Sequence, residues 1–251
     1  MSGANRNLAP SPKTQECQGD LDAIKPAGQD SSSTGSRLKG LFRKSPWRDF
    51  YQRWRPNLIA DAIHQIIIDQ QVRGKVLDIG GGTNEWSPLH FPYFRENAGD
   101  VELTGVNLDE TQTGTFGNFR VVLANAHDIP FGSAVFDCVI SNAMLEHDPE
   151  FWLTLREIRR VLKVGGLFIA GAPGYSEVPL GRWFRFLPGF GAYQYDLSQG
   201  TLTYMVHSAP GDYYRFSKQA FSDVIFSGFK EVQVRAVMCP PRIVGHGYKA
   251  G

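Results

Sequence analysis

The chain has 251 residues, enough for a full hydrophobic core, and its apolar (42%), aromatic (12%) and charged (20%) fractions are those of an ordinary globular protein. A formal net charge of +1 excludes a global polyanion-binding footprint, so no nucleic-acid partner is expected. Cys17, Cys138 and Cys239 are odd in number and lack metal-ligand spacing, and no apolar run reaches membrane-spanning length or resembles a secretory leader, so the expected location is a reducing, cytoplasmic one.

Residues 1 to about 40 are rich in Ser, Pro, Gly, Gln and Asn and offer little to bury, which predicts a disordered tail ahead of a domain over 41–251. From Pro46 the apolar residues Trp47, Phe50, Tyr51, Trp54, Leu58, Ile59, Ala62, Ile63 and Ile66 recur at helical spacing, predicting one or two amphipathic helices within 41–74, broken near Pro56. Around them Arg37, Lys39, Arg43, Lys44, Arg48, Arg53 and Arg55 stand against Asp49. Such a face is either a solvated cover over the site or a peripheral contact with an anionic membrane or a phosphorylated substrate.

The next segment, Val76-Leu77-Asp78-Ile79-Gly80-Gly81-Gly82-Thr83-Asn84, reads as a buried strand feeding a tight turn. Glycines there permit positive φ and close approach of a ligand, and Asp78 supplies a carboxylate for a positive group. The dinucleotide pattern G-x-G-x-x-G fails, because Glu85 fills its last position. Beyond the turn, strands near 75–79, 101–106, 119–123, 135–141, 166–172, 229–237 and 243–249 alternate with helical stretches, the signature of a parallel sheet whose ligands bind beyond the carboxyl ends of the strands. One helix is expected after Asp148-Pro149, carrying Phe151, Leu155, Ile158 and Leu162 and closing at Gly165-Gly166.

Asp78, Gly80 and Gly82 make this segment resemble motif I of the Rossmann-like, S-adenosylmethionine-dependent methyltransferases, an acidic residue followed by G-x-G-x-G. Asn84 replaces the third glycine, a substitution suited to a left-handed residue. Ala124-Asn125-Ala126-His127-Asp128-Ile129-Pro130-Phe131 is similar to the family's adenine-holding segment, with Asn125 where members commonly carry Asp. Phe136–Asn142 followed by Leu145-Glu146-His147 is similar to its fourth strand, so the resemblance spans 75 to about 172. It implies a Rossmann-like three-layer α/β sandwich with a seven-stranded, mostly parallel sheet and an antiparallel last strand. It further implies S-adenosylmethionine as cofactor. Asp78 would face the donor's cationic groups, Gly80, Gly81 and Gly82 its carboxylate, Asn107 or Asp109 the ribose, and Asn125 and Ala126 the adenine, with Asn142 at the end of the fourth strand. Asp109 reads equally as a helix cap. His127 is expected beside the adenine rather than in catalysis.

Residues 174–216 form an aromatic-rich insertion, expected to be a lid over the pocket. Its end, Gly211-Asp212-Tyr213-Tyr214-Arg215-Phe216-Ser217, resembles a run in bacterial methyltransferases associated with glycan and secondary-metabolite modification, which makes Tyr213, Tyr214 and Arg215 candidates for binding substrate. The candidate base is His147, with His207 and Asp212 in reserve. Related O-methyltransferases use a divalent metal, and Glu146, His147 and Asp148 are potential Mg2+ ligands, although consecutive residues rarely converge on one ion. The expected reaction is methyl transfer to a hydroxyl of a sugar or glycan precursor. Alternatives are a phenolic, quinone, lipid or polyketide acceptor, or a donor-binding module without catalysis.

Overall fold

The computed structural model describes residues 58–84, 86–177, 201–203, 211–237 and 241–251. All of them fall within one compact unit, Arg55–Gly251. The expected tail, the helices before residue 58 and most of the lid, including His207, lie outside the described residues.

Helix α1 (Leu58–Asp69) leads into strand β1 (Gly74–Ile79), whose last four residues are all buried, and the short helix α2 (Pro92–Glu96) follows the turn after it. That two-sided burial is why the strand reads as a continuous apolar run rather than an alternation. Val76 enters one core cluster while Leu77 and Ile79 enter the other, so the period of two divides the side chains between two layers. On the first face α1 packs Ile59, Ile63 and Ile67 with Ile140, Ile169 and Val244. Gly171 makes the close approach possible, since a Cβ there would lie 3.0 Å from the Cδ1 atoms of Ile59 and Ile63. On the second face, helix α3 (Phe151–Val161) contributes Leu155, Ile158 and Val161, which pack with Phe168, Phe221 and Phe226.

The main sheet runs β3-β4-β2-β1-β5-β6-β10-β9, built from β2 (Val101–Asn107), β3 (Gly114–Phe116), β4 (Phe119–Leu123), β5 (Phe136–Asn142), β6 (Leu162–Pro173), β9 (Phe229–Val237) and β10 (Arg242–Lys249) around β1. Pairings β1–β2, β1–β5, β2–β4 and β5–β6 are parallel. The last strand, β10, is antiparallel to both β6 and β9, as expected of a Rossmann-like sandwich of this type. Chain order reverses around β1, which places the switch-point crevice at the C-terminal ends of β1, β2, β4 and β5.

Three details differ from the sequence reading. The sheet has eight strands rather than seven, because Gly114–Phe116 turns back antiparallel onto β4 through Gly117 at φ +58, a return too short to leave a periodic signal. The helix after Asp148 begins at Phe151 and ends at Val161, and Leu162 already belongs to β6; Gly165, at φ +74, lies within that strand instead of closing the helix. Short strands β7 (Tyr175–Glu177) and β8 (Thr201–Thr203) pair within the expected lid. After it, Ser217 caps α4 (Lys218–Ala220), its hydroxyl accepting from Ala220 N at 3.0 Å, and the chain continues as a π-helical turn, Phe221–Ile225. Among the described residues no helix is long and apolar enough to cross a membrane.

Candidate active site

Gly80 ends β1 at φ +84, a left-handed conformation that glycine adopts without strain, and its amide donates to Val106 O at 2.9 Å. Gly81 and Gly82 serve close approach instead. A Cβ on Gly81 would lie 2.8 Å from the Asp78 carboxylate, and one on Gly82 would lie 2.8 Å from Gln112 Oε1, which itself accepts from Thr83 N and Oγ1 at 3.0 and 2.7 Å. Asn84 does not use the left-handed region; its Oδ1 accepts from Trp86 N at 3.1 Å and closes the turn.

Asp78 sits beneath this turn, 1% exposed, accepting from the Ser87 hydroxyl at 2.9 Å. Burial pushes its carboxyl up to about 7, against the lowering effect of that hydrogen bond. The structure thus makes Asp78 a brace under the glycines; the cavity beside them is lined by other residues. Asn107 is a second brace: its Nδ2 donates to Gly81 O at 2.9 Å and its Oδ1 accepts from Asp109 N at 2.9 Å. Asp109 caps the 3-10 turn Glu110–Gln112, accepting from Thr111 N at 2.9 Å and Thr111 Oγ1 at 2.7 Å, and its carboxyl is held below the usual range by those bonds.

The cavity measures about 330 Å3 and lies where the switch point puts it. Gly80, Asn107 and Leu108 form one side, Asn125, Ala126 and His127 another, and Met144, His147 and Asp148 a third. Asn125 turns its Oδ1 to His127 N at 2.9 Å. Asn142 stands at the end of β5, with its buried Oδ1 lacking a hydrogen-bond partner and its Nδ2 3.5 Å from Trp86 O.

Sequence reading missed the pairing of His127 with Asp148. The ring Nε2 lies 2.9 and 3.0 Å from the two carboxylate oxygens, while Thr154 Oγ1 and Glu150 N donate to the same carboxylate at 2.6 and 2.9 Å. In the sequence Asp148 stands just ahead of the expected helix, and nothing local joins it to His127.

His147 lies on the cavity wall and its Nδ1 donates to Gly211 O. A carbonyl can only accept, so Nδ1 carries the proton of this contact. Beside it Glu146 is 1% exposed, with Oε1 3.8 Å from His147 Nε2. Burial raises the Glu146 carboxyl to about 7, with its own backbone amide, Arg242 and Arg215 opposing and Asp212 adding to the rise. Asp212 and Arg215 form a buried bidentate ion pair, their side chains 1% and 7% exposed, so these two candidates hold each other. Tyr214 packs edge-on against Phe151 and donates its hydroxyl to Pro149 O at 2.7 Å, while Tyr213 is 58% exposed with its backbone amide on Glu146 O at 2.8 Å. Among the described residues no group of three His, Cys, Asp or Glu side chains could hold a metal ion.

Residues 77–170 match the family model described as a methyltransferase domain, Methyltransf_11. The fold is shared with the 1,6-didemethyltoxoflavin-N1-methyltransferase of Burkholderia thailandensis, solved with S-adenosylhomocysteine bound, at a TM-score of 0.53 and 19% identity over 93% of this chain and 99% of that one. The chain carries a methyltransferase domain and is an S-adenosylmethionine-dependent methyltransferase with a Rossmann-like fold. The methyltransferase is 26% identical over 187 residues to the demethylmenaquinone methyltransferase of Staphylococcus carnosus, covering 70% of this chain and 76% of that protein. Over 100 residues it is 34% identical to the ubiquinone/menaquinone biosynthesis C-methyltransferase UbiE of Haemophilus ducreyi, covering 37% and 38%. The cavity fits the donor: glycine backbone at the carboxyl end of β1 lies beside the asparagine-bearing ends of β2 and β4, giving a nucleoside-sized slot with amide and carbonyl groups on its walls.

Proposed function

We propose that this methyltransferase acts on a neutral, hydroxyl-bearing aromatic ring of the phenol or quinone class. The observation that carries this reading is the sequence similarity to two enzymes named for quinone methylation. The motif that favours a sugar or glycan precursor is the Gly211–Ser217 run, and the relatives favour a quinone-type ring over it.

The bound donor supplies an electrophilic methyl group, and the chain supplies position and a proton acceptor. Gly80, Asn125 and Ala126 hold the donor's polar ends. His147, anchored through Nδ1 on Gly211 O, is the group on the cavity wall that takes the acceptor's proton. The test combines calorimetric titration of S-adenosylmethionine and S-adenosylhomocysteine with radiolabelled methyl transfer to 1,4-dihydroxynaphthalene and, in parallel, to simple hexoses. His147→Gln is expected to keep donor affinity within about twofold and to lower turnover about 10²–10⁴-fold. Absence of donor binding refutes the cavity assignment, labelling of hexoses alone refutes the acceptor class, and undiminished turnover in His147→Gln refutes the base.

A further inference from the structure

Where α1 covers β10 and the edge strand β9, the sheet face changes character. Its centre is apolar, with Ile63, Ile66 and Val244 in one core cluster. Beside Val244 it carries Gln233, Arg235 and His246 instead: register sets Arg235 opposite Val244 and Gln233 opposite His246, so all four stand on one face. Two contacts fasten the helix over them. Arg235 Nη2 donates to Ala62 O at 3.2 Å, and the Tyr248 hydroxyl donates to Gln70 Oε1. Between helix and strands lies a cavity of about 180 Å3, whose lining includes Asp69 and Gln70 of α1, Gln233 and Arg235 of β9, and His246 of β10. That is room for roughly six waters. It shares no lining residue with the donor cavity.

The decisive residue is His246. It is 7% exposed, lines this cavity, and its ring makes no hydrogen bond among the described residues. A solvated sheet edge accounts for the exposed Gln233 and Arg235, but not for a histidine removed from water and given no partner. Burial, with help from Arg235 and against Asp69, holds the imidazole below its usual range. At neutral pH the ring is therefore uncharged, with one nitrogen to donate and one to accept. The two charges that act on it have opposite sign. Asp69 Oδ1 accepts from Gln65 Nε2 at 2.7 Å, which leaves Oδ2 open, and Arg235 keeps donors beyond the one on Ala62 O. Ala62 and Asp69 are seven residues apart on α1, about 10 Å along its axis, so the cationic and anionic ends of the slot are well separated.

We propose that this slot is a second binding site, apart from the donor crevice, for a small zwitterion whose carboxylate and ammonium are separated by a short chain, as in an ω-amino acid. The carboxylate pairs with Arg235, the ammonium with Asp69, and His246 and Gln233 meet the polar atoms between them. A simple anion would face Asp69 and a simple cation would face Arg235, each with like charge. An α-amino acid is too short to reach both ends. The site does not depend on which acceptor the enzyme methylates.

The test uses the full chain and the His246 ring signals in ¹H–¹⁵N spectra, assigned by their loss in His246→Gln. Four probes are titrated: 5-aminovalerate, pentanoate, pentylamine and glycine. 5-Aminovalerate is expected to shift the signals with a dissociation constant on the order of 1 mM or lower, at least tenfold tighter than the other three. Arg235→Gln should weaken it to the level of pentylamine and Asp69→Asn to that of pentanoate, with the melting temperature unchanged in both. Pentanoate or pentylamine binding as tightly as 5-aminovalerate overturns the zwitterion, and glycine doing so overturns the spacing. Signals that stay fixed with every probe at roughly 20 mM overturn the site, as does binding that neither variant weakens.

Discussion

Replacing Asp78 with Asn should stabilise the unliganded protein while weakening its cofactor site. Burial carries this carboxyl from 3.8 up to about 7. Between those values the native state holds a proton that the unfolded chain has released, so the stability contributed by the protonated group is full below pH 3.8 and is lost as pH rises to about 7. At about 1.36 kcal/mol per pH unit, the loss reaches roughly 4 kcal/mol above pH 7. Asn keeps an oxygen for the Ser87 hydroxyl and does not titrate, so the variant should melt several degrees higher at pH 8.5, with about half that advantage at pH 5.5. Calorimetry should meanwhile show S-adenosylmethionine binding about tenfold weaker, because the negative charge beneath the glycine turn is gone. Scanning calorimetry at the two pH values, with titration at pH 8.5, tests both parts. A variant that melts no higher than wild type at pH 8.5, or whose advantage is the same at both pH values, would refute the desolvation argument.

Gly80→Ala should cost roughly 1–3 kcal/mol, because it forces a Cβ into φ +84 and to 3.0 Å from Met144 Cγ; a lower melting temperature and weaker S-adenosylhomocysteine binding together would bear this out. Asp212→Asn should destabilise by about 3–5 kcal/mol, since it leaves the buried Arg215 guanidinium facing an uncharged amide, and denaturant unfolding measures this directly. Dialysis against chelator should leave turnover unchanged, whereas activity lost in chelator and restored by Mg2+ would contradict the site as described.

Much of the cofactor crevice is legible in the sequence because it is built from local signals. A strand buried on both faces must be a continuous apolar run, and a turn that needs positive φ at Gly80 and no side chain at Gly81 and Gly82 must carry glycines. The alternation of strands and helices then requires a parallel sheet with its ligand crevice at the reversal point beside β1. The short strand Gly114–Phe116 escaped notice because three residues hold no period, and α3 appeared too long because apolar spacing runs unbroken from the helix into β6.

What individual polar side chains do was decided by tertiary contacts. Asp78 and Asn107 look like ligand groups in the sequence, and only the fold shows that each also braces the turn, the first through Ser87 and the second through Gly81 O. His127 meets Asp148, and His147 meets Gly211, across chain separations that no local pattern encodes. The buried Glu146 is the clearest case. Its sequence context offers an ordinary acidic residue on a short turn, and only the packing of β10 and the segment before α4 around it removes its water and raises its carboxyl to about 7.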